Sequence, residues 1–514
     1  MANSQKDNLF VLIKSLSKSE KRQFKLYANR LDINADSKFL SLFTLLEKIP
    51  EYSEEAILKS KIVTKQQISN LKAHLYKQIL ISLRLNPVNQ NIRILIREQL
   101  DFATILYQKG LYKQSLKILD KAKNIAIENE EKNIAYEIVE LEKVIESQYI
   151  TRSIIGRADE LSNQSKQLSH QNTLASKLSN LSLQLYSYML KYGYARDDEE
   201  MREINTYFNA QLPPFLIEDL GFREKLWLYK AHLWHSFLVQ DFLSCYKYSS
   251  KWIDLFTENP SMVFLNPVWY IKGNTYMLEC LYLIKHKSLL KETLEKFETT
   301  IQLADFPKND NLNSLHFLCI YNNKFNLHFL EGNFQEGLPL VDDVLKKLKN
   351  YENQIDEHHI MVFYYKIGCM YFGSANYKNC ILFLKKIIDN KNLSMREDLM
   401  CFARILNLVA HYESCLDYHL EIQLKATYKF LIKMNDLHQV QKEFIKFLKN
   451  LNTIYPHQLK SEFKKLHSKL KAFEDHPYEK RSFLYLDILS WLESKIENRP
   501  VAIIIQEKAK KLVR

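Results

Sequence analysis

Apolar residues recur along this chain at the three- and four-residue spacing of helices, and no alternating β-branched run exceeds a few residues, so the pattern predicts helices throughout. The helical stretches are interrupted by a small residue, with an aromatic two positions later and a second small residue three after that. Gly110, Tyr112 and Ser115 make one instance, Gly332, Phe334 and Gly337 a second, Ala375, Tyr377 and Cys380 a third. Such a triplet marks the tight turn of a helical hairpin, where the small residue lets the backbone fold back and the aromatic wedges between the two helices.

The turn sets a register for its neighbours. With Ala375 at the turn, Ile367, Gly368 and Tyr371 fall on the first helix, and Tyr377, Cys380, Leu384 and Ile387 on the second. Around Gly110 the same positions hold Ala103, Leu106, Tyr112, Ser115, Leu119 and Ala122; around Gly332 they hold Tyr321, Phe334, Gly337, Val341 and Val344. This order of aromatic, small and large positions resembles the tetratricopeptide repeat. Weaker turns are expected near Gly193, at Gln240-Asp241, near His286 and near Asp417. Successive turns at 193, 240, 286, 332, 375 and 417 lie 47, 46, 46, 43 and 42 residues apart. A standard repeat takes about 34 residues, so each helix here is longer by about one turn. Pro213-Pro214, Pro260, Pro267, Pro307, Pro456, Pro477 and Pro500 fall between helical patterns, where a missing N–H costs little. Pro339 is the exception, in the first turn of an expected second helix.

Residues 1–90 stand outside this register. Ser17 and Glu20 form an S-x-x-E capping box ahead of Phe24, Tyr27 and Leu31, which starts a helix near Lys18. Two more helices are expected over Lys38–Lys48 and Lys65–Leu85, the latter opened by Thr64 with Gln67 three positions on. The run NLFVLIKSLSKSEKRQFKLYA, the acidic turn EYSEEAILKSK and the basic helix ISNLKAHLYKQILISLRL resemble the start of an uncharacterised family of bacterial tetratricopeptide-like proteins. That resemblance implies the fold and a bacterial origin and carries no activity with it.

The expected fold is all-α: a right-handed α-solenoid of long tetratricopeptide-like hairpins over residues 91–435, preceded by a basic helical capping bundle over 1–90. Basic C-terminal hairpins over 436–514 continue or cap the array.

Charge and composition narrow the function. Lys and Arg number 72 against 60 Asp and Glu. Residues 1–90 hold 15 against 8, residues 436–514 hold 16 against 10, and the centre holds the remaining 41 against 42. A neutral centre argues against a nucleic-acid groove along the whole length, while basic ends can meet RNA, DNA or an acidic protein. With nine glycines the chain is poor in the residue from which nucleotide-binding loops are built. The longest apolar runs, such as Val501 to Ile505, are too short to cross a bilayer, and the amino terminus does not read as a secretory signal, so a cytoplasmic location and no membrane association are expected. The seven cysteines (245, 280, 319, 369, 380, 401 and 415) lie in helical segments without zinc spacing and read as buried reduced thiols.

Motifs for chemistry are sparse. Gly368 to Gly373 has the outer spacing of a phosphate loop but continues Ser374-Ala375 rather than Lys-Ser/Thr and sits on a helix. His358 and His359 are adjacent, so they point to different helix faces. No catalytic, cofactor or metal residues are assigned, and an enzyme is not expected. A helix-turn-helix over Glu54–Lys77 would place Lys65, Gln66, Ser69 and Lys72 on a recognition helix, whereas Ile68, Leu71, Leu75 and Ile79 specify a buried stripe. With DNA binding, the chain would resemble the peptide-sensing bacterial regulators that join such a domain to tetratricopeptide repeats.

Repeats of this kind bind protein or peptide partners on the face lined by the first helix of each pair. Its candidate contact residues are Lys230, Trp234, Tyr276, Asn322, Asn326, Tyr365, Arg404, Asn407 and His411. Asn322 and Asn326, one turn apart, are placed to pair with the backbone of an extended peptide. The expected function is thus a protein- or peptide-binding scaffold. The alternatives are a ligand-sensing transcriptional regulator and an RNA-associated scaffold.

Overall fold

The computed structural model of the chain describes residues 7–30, 38–87, 91–148, 156–351, 354–390, 397–414, 417–433, 439–450, 454–479, 483 and 487–511. Among these residues the fold is all-α, with no strand. Leu31, Cys415 and the turn expected just before Asp417 lie outside the described residues. Contacts divide the chain into two units, residues 1–168 and 169–514.

The first unit opens with α1 (Asn8–Ser15), α2 (Lys18–Arg30), α3 (Lys38–Lys48), α4 (Glu54–Lys59) and α5 (Ile68–Arg84). Leu9, Ile13, Phe24, Leu42, Phe43, Leu46, Ile57, Leu75 and Ile79 close around one another as a core. The capping box forms in full at the start of α2: the Glu20 amide donates to Ser17 Oγ at 3.2 Å, and the Ser17 amide donates back to Glu20 Oε2 at 2.8 Å. The last helix of this bundle starts later than expected. Helix α5 begins at Ile68, because Thr64 to Gln67 make a separate turn in which the Gln67 and Ile68 amides both donate to the Thr64 carbonyl. Lys65 and Gln66 therefore precede the helix that was to carry them. Lys72 bonds to Asp7 and, at 2.8 Å, to Tyr52 Oη. Its ammonium ties α5 to the start of the chain.

A second core in this unit is built by α6 (Ile92–Gln108), α7 (Tyr112–Glu128), α8 (Lys132–Gln148) and the first residues of α9 (Arg157–Tyr192). Ser115 Oγ donates to the Ala103 carbonyl at 2.8 Å, which explains the small residue there: a larger one would hold the hairpin open. Arg157 Nη2 lies 3.3 Å from Asp120 and 3.4 Å from Glu142, Nε 3.6 Å from Glu146 and Nη1 2.9 Å from Glu160. Lys123 Nζ meets the fully buried Glu142 at 2.6 Å. Burial nonetheless pushes the Glu142 carboxyl up to about 7, against the pull of that lysine.

The second unit continues from within α9 through α10 (Asp198–Gln211), α11 (Phe222–Leu238), α12 (Phe242–Glu258), α13 (Ser261–Leu265), α14 (Pro267–Leu283), α15 (Lys287–Ile301), α16 (Asp310–Glu331), α17 (Phe334–Asn350), α18 (Glu357–Gly373), α19 (Tyr377–Ile388), α20 (Glu397–Glu413), α21 (Asp417–Lys433), α22 (Gln439–Asn450), α23 (Pro456–Lys471), α24 (Ile488–Glu497) and α25 (Val501–Lys511). Hairpin turns fall at Gly193, Gln240, Lys285, Gly332 and Ala375, each in the left-handed region with φ between 57° and 74°. The turn expected near His286 is thus centred one residue earlier. Four of these turns share one hydrogen bond six residues round: Asp241 N–H to Ser236 O, His286 N–H to Leu281 O, Asn333 N–H to His328 O and Asn376 N–H to Tyr371 O, at 2.8 to 3.1 Å. This is the Schellman closure, in which a left-handed residue turns the chain so that the next amide satisfies a free carbonyl of the ending helix. It favours glycine, and Gln240 and Lys285 occupy it at a cost in backbone strain.

Pro339 lies in the second turn of α17, not its first. The prolines expected between helices do fall there or at a helix start, Pro267 and Pro456 as first residues of α14 and α23.

Within this unit α11 packs on α12, α12 on α14, and α14, α16, α18 and α20 each on the next. Trp252, Phe256 and Phe297 fill one core, Phe325 and Phe363 a second, and Leu406, Phe444 and Trp491 a third. The last helix then returns to the middle of the unit. Helix α25 packs on α16, with Ala502 and Ile505 against the Phe325 core, and Gln506 Nε2 donates to the Gly332 carbonyl at 3.2 Å. Tyr478 Oη donates to Asp198 at 2.5 Å.

Candidate binding face

The first helices of four successive hairpins, α11, α14, α16 and α18, meet through their side chains. Trp227 and Trp269 lie edge to face at 4.9 Å, Trp234 and Tyr276 at 5.3 Å, and the Tyr186 ring of α9 lies tilted against Trp234 at 4.8 Å. Across α16 and α18, Lys366 Nζ donates to the Asn322 carbonyl at 3.0 Å and to Asn326 Oδ1 at 2.8 Å.

These contacts sort the sequence-predicted residues. Lys230 is half-buried, its ammonium 4.7 Å from the Trp227 ring centre and 5.0 Å from that of Trp269. Desolvation, with the neighbouring Lys272 charge, lowers its pKa to about 8. Tyr276 is half-buried, and burial raises its hydroxyl well above the ordinary tyrosine value. Asn322 is half-buried as well. Its Nδ2 donates to the Leu318 carbonyl at 2.8 Å, and its Oδ1 has no hydrogen-bond partner. Arg404 of α20 places its guanidinium 4.4 Å over the Phe430 ring, with a buried Nε lacking a partner, and desolvation lowers its pKa.

The other five are buried rather than exposed. Trp234, Asn326, Tyr365, Asn407 and His411 are each at most 7% accessible. Asn326 donates to Asn323 Oδ1 and accepts from Lys366, so of the expected pair of open amides that of Asn326 is committed to holding α16 and α18 together, while that of Asn322 bonds within its own helix. Tyr365 lies in the Leu384 and Leu406 core. The physical reason is rotation: a helix turns about 100° per residue, and positions 365 and 366 face different sides.

Sequence reasoning missed Trp227, Trp269, Lys272 and Lys366, although a signal was present. Lys230, Tyr276, Asn322 and Lys366 stand 10, 9, 10 and 9 residues ahead of their left-handed turns at 240, 285, 332 and 375. Lys272 lies one helical turn earlier than Tyr276 on the same face. Lys366 keeps part of its surface open, yet desolvation lowers its pKa to about 8, with the Glu279 charge opposing. Among the described residues Lys230, Lys272, Lys366 and Arg404 form no ion pair with a carboxylate. By contrast, Lys324, elsewhere on α16, meets Glu298 at 2.7 Å.

Two clefts lie elsewhere on the described surface. One of about 310 Å³ lies between α9 and α10, lined by Leu185, Tyr188, Ile204, Tyr207 and Leu238, with Gln184 and Glu203 at its polar edge. The other, about 620 Å³ and more open, is lined by Lys18, Lys21, Arg22, Lys25, Leu26, Asn29 and Glu47. No helix among the described residues is long and apolar enough to cross a membrane. No known family model matches the chain. Comparison with curated proteins likewise finds no match.

Proposed function

We propose that the second unit is a tetratricopeptide-like α-solenoid that serves as a cytoplasmic protein- or peptide-binding scaffold, not as an enzyme, and that it binds through the face of its first helices. The observation that carries this reading is the row formed by Lys230, Tyr276, Asn322 and Lys366, one partly open side chain per hairpin, nine or ten residues ahead of the turn. A repeated position of partly open polar and aromatic groups suits an extended segment that crosses one hairpin after another. The left-handed turns and the side-by-side order of the first helices support the solenoid. The six described cysteines are free thiols, in keeping with a reducing compartment.

The test is site-specific photo-crosslinking in the native cell. A photoreactive residue at Tyr276 or Lys230 is expected to capture a partner, whereas one at Leu243 or Leu382, exposed on the second helices α12 and α19, is not. Capture from the second-helix positions alone would overturn the assignment.

A second reading is favoured by the cleft on α2. Lys18, Lys21 and Arg22 line it together, and a polyanion such as nucleic acid fits that charge. Its mark is binding that falls steeply with salt and is lost in a Lys21→Gln/Arg22→Gln variant.

A further inference from the structure

We propose that the segment bound on this face is acidic: an extended peptide whose carboxylate side chains pair with Lys230, Lys272, Lys366 and Arg404. The inference rests on the reading of the first-helix face as the binding surface and names the chemistry of its partner.

Four cations lie in series on α11, α14, α18 and α20, and none has a carboxylate in ion-pair contact among the described residues. Among the described residues the Glu279 charge reaches Lys366 and the Asp389 charge reaches Arg404, neither in ion-pair contact. The face is therefore locally positive, although the chain between residues 91 and 435 is balanced at 41 cations against 42 anions. General basicity does not explain the excess.

Each cation is held in a way that leaves it short of a counter-charge. Lys230 has two indole faces, which attract an ammonium far less than a carboxylate does once water is excluded. Lys366 uses two of its three N–H donors on neutral carbonyl oxygens, so one remains. Desolvation lowers the pKa of both Lys230 and Lys366 to about 8, which weakens their hold on the proton. A carboxylate brought alongside restores it.

Spacing selects the class of polyanion. Packed helices stand about 8–10 Å apart, so cations on neighbouring helices match a carboxylate at about every third residue of an extended chain, which rises about 3.3 Å per residue, and the step across α16 from Lys272 to Lys366 matches about every sixth. Each strand of a nucleic-acid duplex presents a phosphate about every 3.4 Å of helix axis and would leave most of its charges unmatched here. Tyr276, half-buried one turn from Lys272 on α14, carries a hydroxyl that can bond to peptide backbone.

Fluorescence anisotropy with the full chain tests this. The probe is a fluorescein-labelled peptide of about twelve residues with Glu at every third position and Ser and Ala between. Its Gln-for-Glu counterpart and an oligothymidine of equal length are run beside it. The Glu peptide is expected to bind at least about tenfold more tightly than the Gln peptide, and to weaken as salt rises. Lys230→Gln and Lys272→Gln are each expected to weaken it about fivefold or more while leaving the melting temperature unchanged or higher, since each removes an uncompensated charge. Lys21→Gln on α2 is expected to change nothing. Equal binding of the Glu and Gln peptides, with both weakened by Tyr276→Ala, would overturn the acidic partner and leave the face as a binding surface. Indifference of every probe to all face substitutions would overturn both. Oligothymidine binding that exceeds the Glu peptide and is lost in Lys230→Gln would overturn the choice of a peptide.

Discussion

Gly332 ends α16 at φ 71°, and its position tests both the hairpin turn and the return of the C-terminal helix. A Cβ built there would lie 2.8 Å from the Ala502 carbonyl oxygen and 2.9 Å from the Gln506 amide nitrogen. Both are backbone atoms of α25, so no side-chain rotation relieves the overlap. Gly332→Ala therefore adds two costs: left-handed strain of about 1 kcal/mol, and displacement of α25 at about 1–3 kcal/mol, with a further ~1 kcal/mol if the Gln506 hydrogen bond is lost. The expected loss is about 2–5 kcal/mol. Gly110 is the control, since it turns at φ 74° with nothing within 4 Å of its would-be Cβ. Gly110→Ala is expected to lose only about 1 kcal/mol. Urea unfolding followed by hydrogen exchange of residues 501–511 reads both effects, with faster exchange of α25 expected in Gly332→Ala alone. Equal losses in the two variants, or an unchanged α25, would refute the reasoning.

Ala375 occupies the same turn with φ 59°, so Ala375→Gly is expected to raise stability by up to about 1 kcal/mol, the strain relieved less the entropy of a freer unfolded chain; a thermal melt checks the sign. Arg157→Ala removes the guanidinium beside Glu142 and Glu146 but leaves Glu142 paired with Lys123, and is expected to cost the first unit about 1–3 kcal/mol, read by urea unfolding with limited proteolysis near α9. His232 is stacked on Tyr248 at 4.3 Å, and burial lowers its pKa from 6.5 to about 4. Its folded form resists a proton that the unfolded chain accepts, so stability falls as pH drops from about 6.5 to about 4 and changes no further below that. His232→Phe keeps the stacking and is expected to flatten that part of the melting-temperature profile; an unchanged profile would assign the acid loss to other groups.

The turns were legible in the sequence because the left-handed residue of a Schellman closure favours glycine, and Gly332 and Gly110 announce it. At Gln240 and Lys285 no small residue marks the turn, and only the spacing from neighbouring hairpins and the polar residue that follows locate it. The capping box at Ser17 and Glu20 was equally readable, since both of its bonds are local. The return of α25 to Gly332 was not, because it joins residues 174 apart in sequence through side chains with no periodic signature. The binding face was read about one residue out of phase at Tyr365, where Lys366 is the residue that reaches Asn322. Among long helices packed on several sides, apolar periodicity is weak, and an aromatic such as Trp234 or Tyr365 fits a core as well as a groove.

The central claim, that partners bind across the first helices of the second unit, is tested most directly by hydrogen–deuterium exchange of the full chain with and without its photo-crosslink-identified partner. The account predicts slowed exchange in α11, α14, α16 and α18 on binding, with α2 unchanged. Protection confined to residues 18–30, with those four helices unaffected, would contradict it and assign the contact to the basic bundle.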